Sequence, residues 1–351
     1  MNKQQKKKEI IFNIFSKNLE WVKKHPDIKF KPDFNNGYIC PLCFEVFFKK
    51  DLDSSLDNFL TLEDIPPVSL GGKPLTLTCK KCNSKSGHNL DVHLLNQLLE
   101  ADAKMFLPNS EMKSSFEIDG NTVNGKIKID DNGKFIIDLQ TQNSNPIQSE
   151  EFKKGLFYSE IKYNPIFYPN GRHLTQYKSK EITMRFKVNS DERRAEIALL
   201  RIAYLIAFAT LGNSFLINGN LYKVREQILN PDKKVLSKVF WIKYKFPEEC
   251  KGINIISLPK EMRCFLVIFD LKTKSKTRQF AIVLPGPDEP GINIYEFLEK
   301  ELCVDREEKL EMMLEHIPER EFIKDKNWVF GSHYYWQEYT NENYKPRLPP
   351  K

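Results

Sequence analysis

Apolar residues recur with helical spacing at the start of the chain. Ile10, Ile11, Ile14, Phe15, Leu19 and Val22 predict one amphipathic helix whose apolar side packs on the body. "KHPDIKFKPDFNNG" has no such period and reads as a loop. "FLTLE" and "PLTLT" predict two short strands, separated by Pro66-Pro67, which stop the first, and by Gly71-Gly72, which let the chain turn back. Leu90, Leu94, Leu95, Leu98 and Leu99 then predict a helix. From about residue 110 the period changes to two. "FEIDGNTVNGKIKIDDNGKFIIDLQ" alternates apolar and polar residues around Asp-Gly-Asn and Asp-Asn-Gly turn signals, which predicts hairpinned strands. The polar stretch "TQNSNPIQSEE" reads as a linker, and "EITMRFKVNS" as a further strand.

"AEIALLRIAYLIAFATLG" is apolar nearly all round, yet it falls short of about 20 clean apolar residues and carries Glu196 and Arg201. With Asn189 and Glu192 spaced as a capping box before it, it predicts a buried helix and no membrane span. Strands at "RCFLVIFDLK" and "RQFAIVLPG" and a helix near 294–301 follow. The pattern as a whole is α+β. It divides into an N-terminal helix and linker (1–36), a compact unit (37–105) and an α+β body (106–351), whose expected role is specificity, oligomerisation or regulation.

Composition adds little to this. A formal charge of +7 and a pI near 8.8 fit a polyanion partner without demanding one. The basic N-terminus lacks the apolar run of a secretory signal. Seven cysteines, an odd number, point away from an oxidised scaffold and toward a reducing, cytoplasmic setting. Trp328, Tyr334, Tyr335 and Trp336 in the tail offer either base stacking or core closure.

The cysteines matter by their spacing. Cys40/Cys43 and Cys79/Cys82 are two Cys-x-x-Cys pairs flanking the predicted strands, the spacing of a four-thiolate structural zinc site. Such a site has no open position and holds the fold. Between the pairs lie Glu63 and Asp64 at the end of the first strand, and Asn83 directly follows the last thiol.

"LEDIPPVSLGGKPLTLTCKKCNSKSG", with both thiol pairs in register, resembles the HNH endonucleases, the ββα-metal or His-Me finger family, in their four-cysteine form. Two later stretches, the apolar helix and "FAIVLPGP", also look like companion regions of some bacterial members. The resemblance implies a ββα-metal module with a treble-clef-type zinc site at Cys40, Cys43, Cys79 and Cys82. It places Glu63 at the acidic ligand of a catalytic divalent ion, Mg²⁺ or Mn²⁺, and Asn83 at the residue completing that site. Asp64 stands where the family has its base histidine, and Pro74 where it has the asparagine that orients the base.

An unperturbed aspartate is a weaker base than imidazole, at a cost of roughly ten- to thirtyfold in rate. Asp64 can instead bind the ion beside Glu63, with a metal-bound hydroxide as nucleophile. His88 and His93 lie near in sequence but share no helix face with Asn83. Lys73, Lys80, Lys81 and Lys85 surround the site and are candidate phosphate contacts, with DNA a more natural partner than RNA. The expectation is a metal-dependent endonuclease, by family a candidate for phage defence or restriction. Its rival is a degenerate module that binds nucleic acid or a protein without cutting.

Overall fold

A computed structural model describes residues 3–25, 28–31, 33–118, 120–139, 146–157, 161–162, 176–177, 182–186, 190–236, 245–286, 294–302, 311–317 and 322–329. The fold is mixed α and β, in two compact units. The first combines residues 1–95 with 190–273 and 277–351; the second is residues 96–189 with 274–276. The chain is therefore not three consecutive pieces. The boundary falls inside a helix, ahead of residue 105, and the first unit is completed by segments that return after residue 189.

The first unit begins with α1 (Lys3–Lys23). Ile11, Phe15, Leu19 and Val22 of the predicted stripe are buried, whereas Ile10 is 52% exposed and Phe12 takes its place at 3%. Two short strands, β1 (Tyr38–Ile39) and β2 (Val46–Phe47), flank the first thiol pair. The hairpin of β3 (Leu60–Ile65) and β4 (Lys73–Cys79) follows and runs directly into α2 (Lys80–Ser86). One π-helical turn (Gly87–Asp91) leads on to α3 (Val92–Lys104).

Its turn explains the Pro-Pro and Gly-Gly pairs. Leu70, Gly71 and Gly72 donate backbone hydrogen bonds back to Pro67, Val68 and Pro67. Gly71 sits at φ +90°, in the left-handed region glycine tolerates. Gly72 lies so close to the Pro66 carbonyl that a Cβ would come within 1.4 Å of its oxygen.

The second unit is a four-stranded antiparallel sheet. Its strands are β5 (Glu111–Ile118), β6 (Asn121–Ile129), β7 (Phe135–Leu139) and β10 (Thr183–Phe186), in the order β10-β5-β6-β7; β8 (Ile161–Lys162) and β9 (Gln176–Tyr177) pair separately. Phe116, Ile118, Val123, Ile127 and Ile129 form its core with Phe152. Phe152 belongs to α4 (Pro146–Phe157), so much of the expected linker is helical. Pro146 takes the first helical position, where its missing N–H costs nothing, and Phe152 anchors the helix on the sheet.

The first unit resumes with α5 (Glu192–Leu211), capped by Asp191, whose side chain accepts the Arg194 N–H. The cap is thus Asp191, two residues beyond Asn189, the cap of the predicted box. Fourteen of its residues are buried, Arg201 among them. α6 (Asn213–Leu216) and α7 (Tyr222–Leu229) follow. A second antiparallel sheet has β11 (Gly252–Leu258), β12 (Cys264–Lys272), β13 (Thr277–Pro285) and β14 (Met313–Ile317) in the order β13-β12-β11-β14, with α8 (Ile294–Leu302) after β13. α5 touches both this sheet and the β3–β4 hairpin. Trp328, itself exposed, packs its ring on Phe322 at 4.8 Å between centroids. Tyr334, Tyr335 and Trp336 lie outside the described residues. No helix among the described residues is long and apolar enough to cross a membrane.

Candidate functional site

Two knuckles bring four thiols together. In the first, the Phe44 N–H donates to the Cys40 carbonyl at 2.9 Å, Cys40 N–H donates to Glu45, and Phe44 adopts φ +65° to close so tight a turn. In the second, β4 delivers Cys79 and the first turn of α2 delivers Cys82, whose N–H points at the Cys79 sulfur from 3.5 Å. The Cys79 N–H approaches the Cys40 sulfur at the same distance, which ties the knuckles to each other. All four sulfurs lie within 4.8 Å of one another, and Cys43 Sγ and Cys79 Sγ are 3.8 Å apart. Sulfurs held at about 2.3 Å from a tetrahedral ion are themselves about 3.8 Å apart. The four thiols can therefore hold a metal ion such as zinc.

Electrostatics point the same way. Hydrogen bonds from the Cys40, Cys43 and Cys82 thiols stabilise the Cys79 thiolate and pull its pKa down. The same contacts push Cys82 far up, and Cys40 is held above its ordinary value by Cys43 and Cys79. Cys43 is lowered as well, by its contact with Cys40, so the four thiols share their protons unevenly. A cation at its centre allows all four sulfurs to ionise.

The acidic residues between the knuckles have a different environment. β3 pairs Glu63 with Thr76 and Asp64 with Pro74, so a bulge opens between them. Pro74 has no N–H to continue the ladder, which accounts for the irregularity. The extra residue is Leu75, on β4; on β3, Glu63 and Ile65 stay on one face, and Glu63 points inward at 3% exposure. Its Oε2 accepts the Thr78 hydroxyl at 2.5 Å, and its Oε1 accepts Arg201 Nη2. Arg201 Nη1 donates to both oxygens of Asp91, at 3.1 and 3.2 Å.

Arg201, 1% exposed, is thus the shared cation of two carboxylates. Burial alone would favour losing its proton, but Glu63 and Asp91 outweigh that and raise its pKa. Asp91 is raised by its own burial, with the Glu63 charge adding to the effect and Arg201 opposing it. Arg201 Nε has no hydrogen-bond partner.

The other residues singled out in the sequence distribute around this centre. Asn83 Nδ2 donates to Thr61 Oγ1 at 2.8 Å and to the Leu62 carbonyl at 3.2 Å, which pins the start of α2 to β3. Asp64 is half-buried; desolvation raises its pKa and the charge of Lys7 opposes that. His88 is exposed in the π-helical turn. His93 Nδ1 accepts the Asp191 N–H at 3.1 Å and tethers the start of α5.

Lys73, Lys80, Lys81 and Lys85 are all exposed. Lys85 Nζ is engaged by the Leu229 carbonyl at 2.7 Å, while Lys80 Nζ lies 5.2 Å from the Phe59 ring centre.

Sequence reasoning overlooked Asp91 and the role of Arg201. The signal was present: a charged residue inside an otherwise apolar buried helix requires a partner. α5 also supplies Tyr204, whose hydroxyl donates to the Pro41 carbonyl at 2.8 Å inside the first knuckle. Arg225 of α7 lies 3.5 Å from the centre of the Phe44 ring. No protein-family model, curated protein or solved structure matches this chain.

Proposed function

We propose that this chain carries a zinc-stabilised, HNH-like ββα module that binds nucleic acid without hydrolysing it. The observation that carries the second half is the ion pair at Glu63. A divalent ion needs an accessible, uncompensated carboxylate. Glu63 is buried, both its oxygens accept hydrogen bonds, and a guanidinium already supplies its countercharge. Evicting Arg201 would leave a buried cation with Asp91 alone, a cost of several kcal/mol. Asp64 in place of histidine adds to the same reading.

The first half rests on order and chemistry: a hairpin running straight into a helix, four convergent thiols, and exposed Lys73, Lys80 and Lys81 on the same module. The ion is zinc in this reading, DNA is the preferred partner, and the free thiols suit a cytoplasmic setting.

Hydrolysis is the second reading, and one observation favours it. Asp64 is half-exposed beside the closed pair, and its raised pKa brings a carboxylate closer to what a general base needs. Incubation of the zinc-loaded protein with plasmid and single-stranded DNA and RNA, with Mg²⁺ or Mn²⁺, separates the two. Salt-sensitive binding with no cutting is expected. Metal-dependent cutting that disappears in Glu63→Ala and Asp64→Ala establishes the nuclease.

A further inference from the structure

The lysines near the hairpin are not equivalent, and the N-terminal helix joins them. Lys8 Nζ, on α1, lies 5.1 Å from the centre of the Phe59 ring; Lys80 Nζ, at the start of α2, lies 5.2 Å from the same ring. The two ammonium groups are thus no farther apart than about one Debye length, roughly 10 Å at 0.1 M salt. Neither makes an ion pair with an acid among the described residues. A cation over an aromatic face is weakly favourable, but a second cation on the same ring adds repulsion. The local charge balance differs from that at Arg201: two cations converge on one ring, and among the described residues neither is ion-paired. Exposed Lys81 follows Lys80, and exposed Lys7 precedes Lys8, although the Lys7 charge also acts on Asp64.

We propose that Lys8 and Lys80, gathered on Phe59, contact the phosphodiester backbone of nucleic acid, and that α1 is part of the binding surface. This rests on the nucleic-acid reading above and makes it specific. It assigns backbone contact to a helix outside the predicted module and ranks Lys85 lower, since one of its three N–H donors is taken by the Leu229 carbonyl.

The test is fluorescence anisotropy with labelled single- and double-stranded DNA between 50 and 200 mM salt, on zinc-loaded full-length protein. Three double variants are compared with wild type: Lys8→Gln/Lys80→Gln, the charge-preserving Lys8→Arg/Lys80→Arg, and Lys17→Gln/Lys24→Gln elsewhere on α1. Loss of two phosphate contacts lowers the salt slope by about 1.8 on duplex. The fall in affinity across that salt range then shrinks about tenfold. The Lys8→Gln/Lys80→Gln variant should show that change, while the arginine variant and the Lys17/Lys24 control keep the wild-type slope. Equal slopes for the two glutamine pairs overturn the inference and leave the nucleic-acid reading standing. Wild-type protein that binds neither strand form at 50 mM salt refutes both.

Discussion

Two clusters of potential metal ligands lie in one module, and they differ in how their charge is balanced. At Cys40, Cys43, Cys79 and Cys82 the chain gathers four thiols, none of them ion-paired, with the Arg201 charge reaching only Cys82. At Glu63 and Asp91 it gathers two carboxylates and supplies Arg201. The first arrangement calls for a cation from solution; the second carries one covalently. Ligand types and spacing therefore do not by themselves define a metal site. What decides is whether the chain has already balanced the charge. The pair at 63 and 91 ties the hairpin to α5, so the fold of the module depends on a helix more than a hundred residues further along.

The largest effect should come from the thiol cluster. Chelation of the ion, or Cys79→Ser, removes a contribution that in small zinc modules is about 10–16 kcal/mol apparent. Loss of the knuckles and of the near-ultraviolet signal of Tyr38, packed beside them, is expected. Protein that keeps its spectrum after chelation and dialysis breaks the comparison at its first half.

Arg201→Met comes next. Removing one partner from a buried pair costs about 3–5 kcal/mol, because Glu63 and Asp91 are left charged and dry. Denaturant melts should show that loss, and most of it should return in Arg201→Met/Glu63→Gln/Asp91→Asn. A triple variant no better than the single one shows that packing, not charge, holds α5 in place.

Gly72→Ala probes the turn that follows the bulge. Its Cβ would meet the Pro66 carbonyl, and relieving the overlap costs about 1–3 kcal/mol by moving backbone.

Asp64→Asn is the smallest. The folded pKa of Asp64 is raised, so the folded state binds its proton more tightly than the unfolded one. Its contribution is therefore favourable at low pH and declines as pH rises from about 3.9 through the folded value. The variant should lose that slope and match or slightly exceed wild-type stability at neutral pH, within about 0.5 kcal/mol given its exposure.

Much of this was legible in the sequence where the cause is local. The thiol knuckles, the Pro-Pro stop and Gly-Gly turn, the leucine-patterned helix α3, and strands β12 and β13 follow from spacing within a few residues. The helix at 146–157 was concealed by a polar composition, although Pro146 marked its start. β11, β14 and α7 carried patterns too short or too continuous to read.

The acid centre was illegible for another reason. Glu63 was legible as an acid at a strand end, and Arg201 as an anomaly in an apolar helix, but they are 138 residues apart and only tertiary packing makes them partners. The same holds for Lys8 and Lys80, which meet over a phenylalanine that neither neighbours on its own element.

Manganese binding to zinc-loaded protein, followed by electron paramagnetic resonance in wild type and Glu63→Gln, tests the central contrast most directly. Arg201 already balances Glu63, so the two titrations should coincide, with no stoichiometric Mn²⁺ site in either. A one-to-one site in wild type that vanishes in Glu63→Gln would show that the carboxylate is open to a metal ion and would contradict the account.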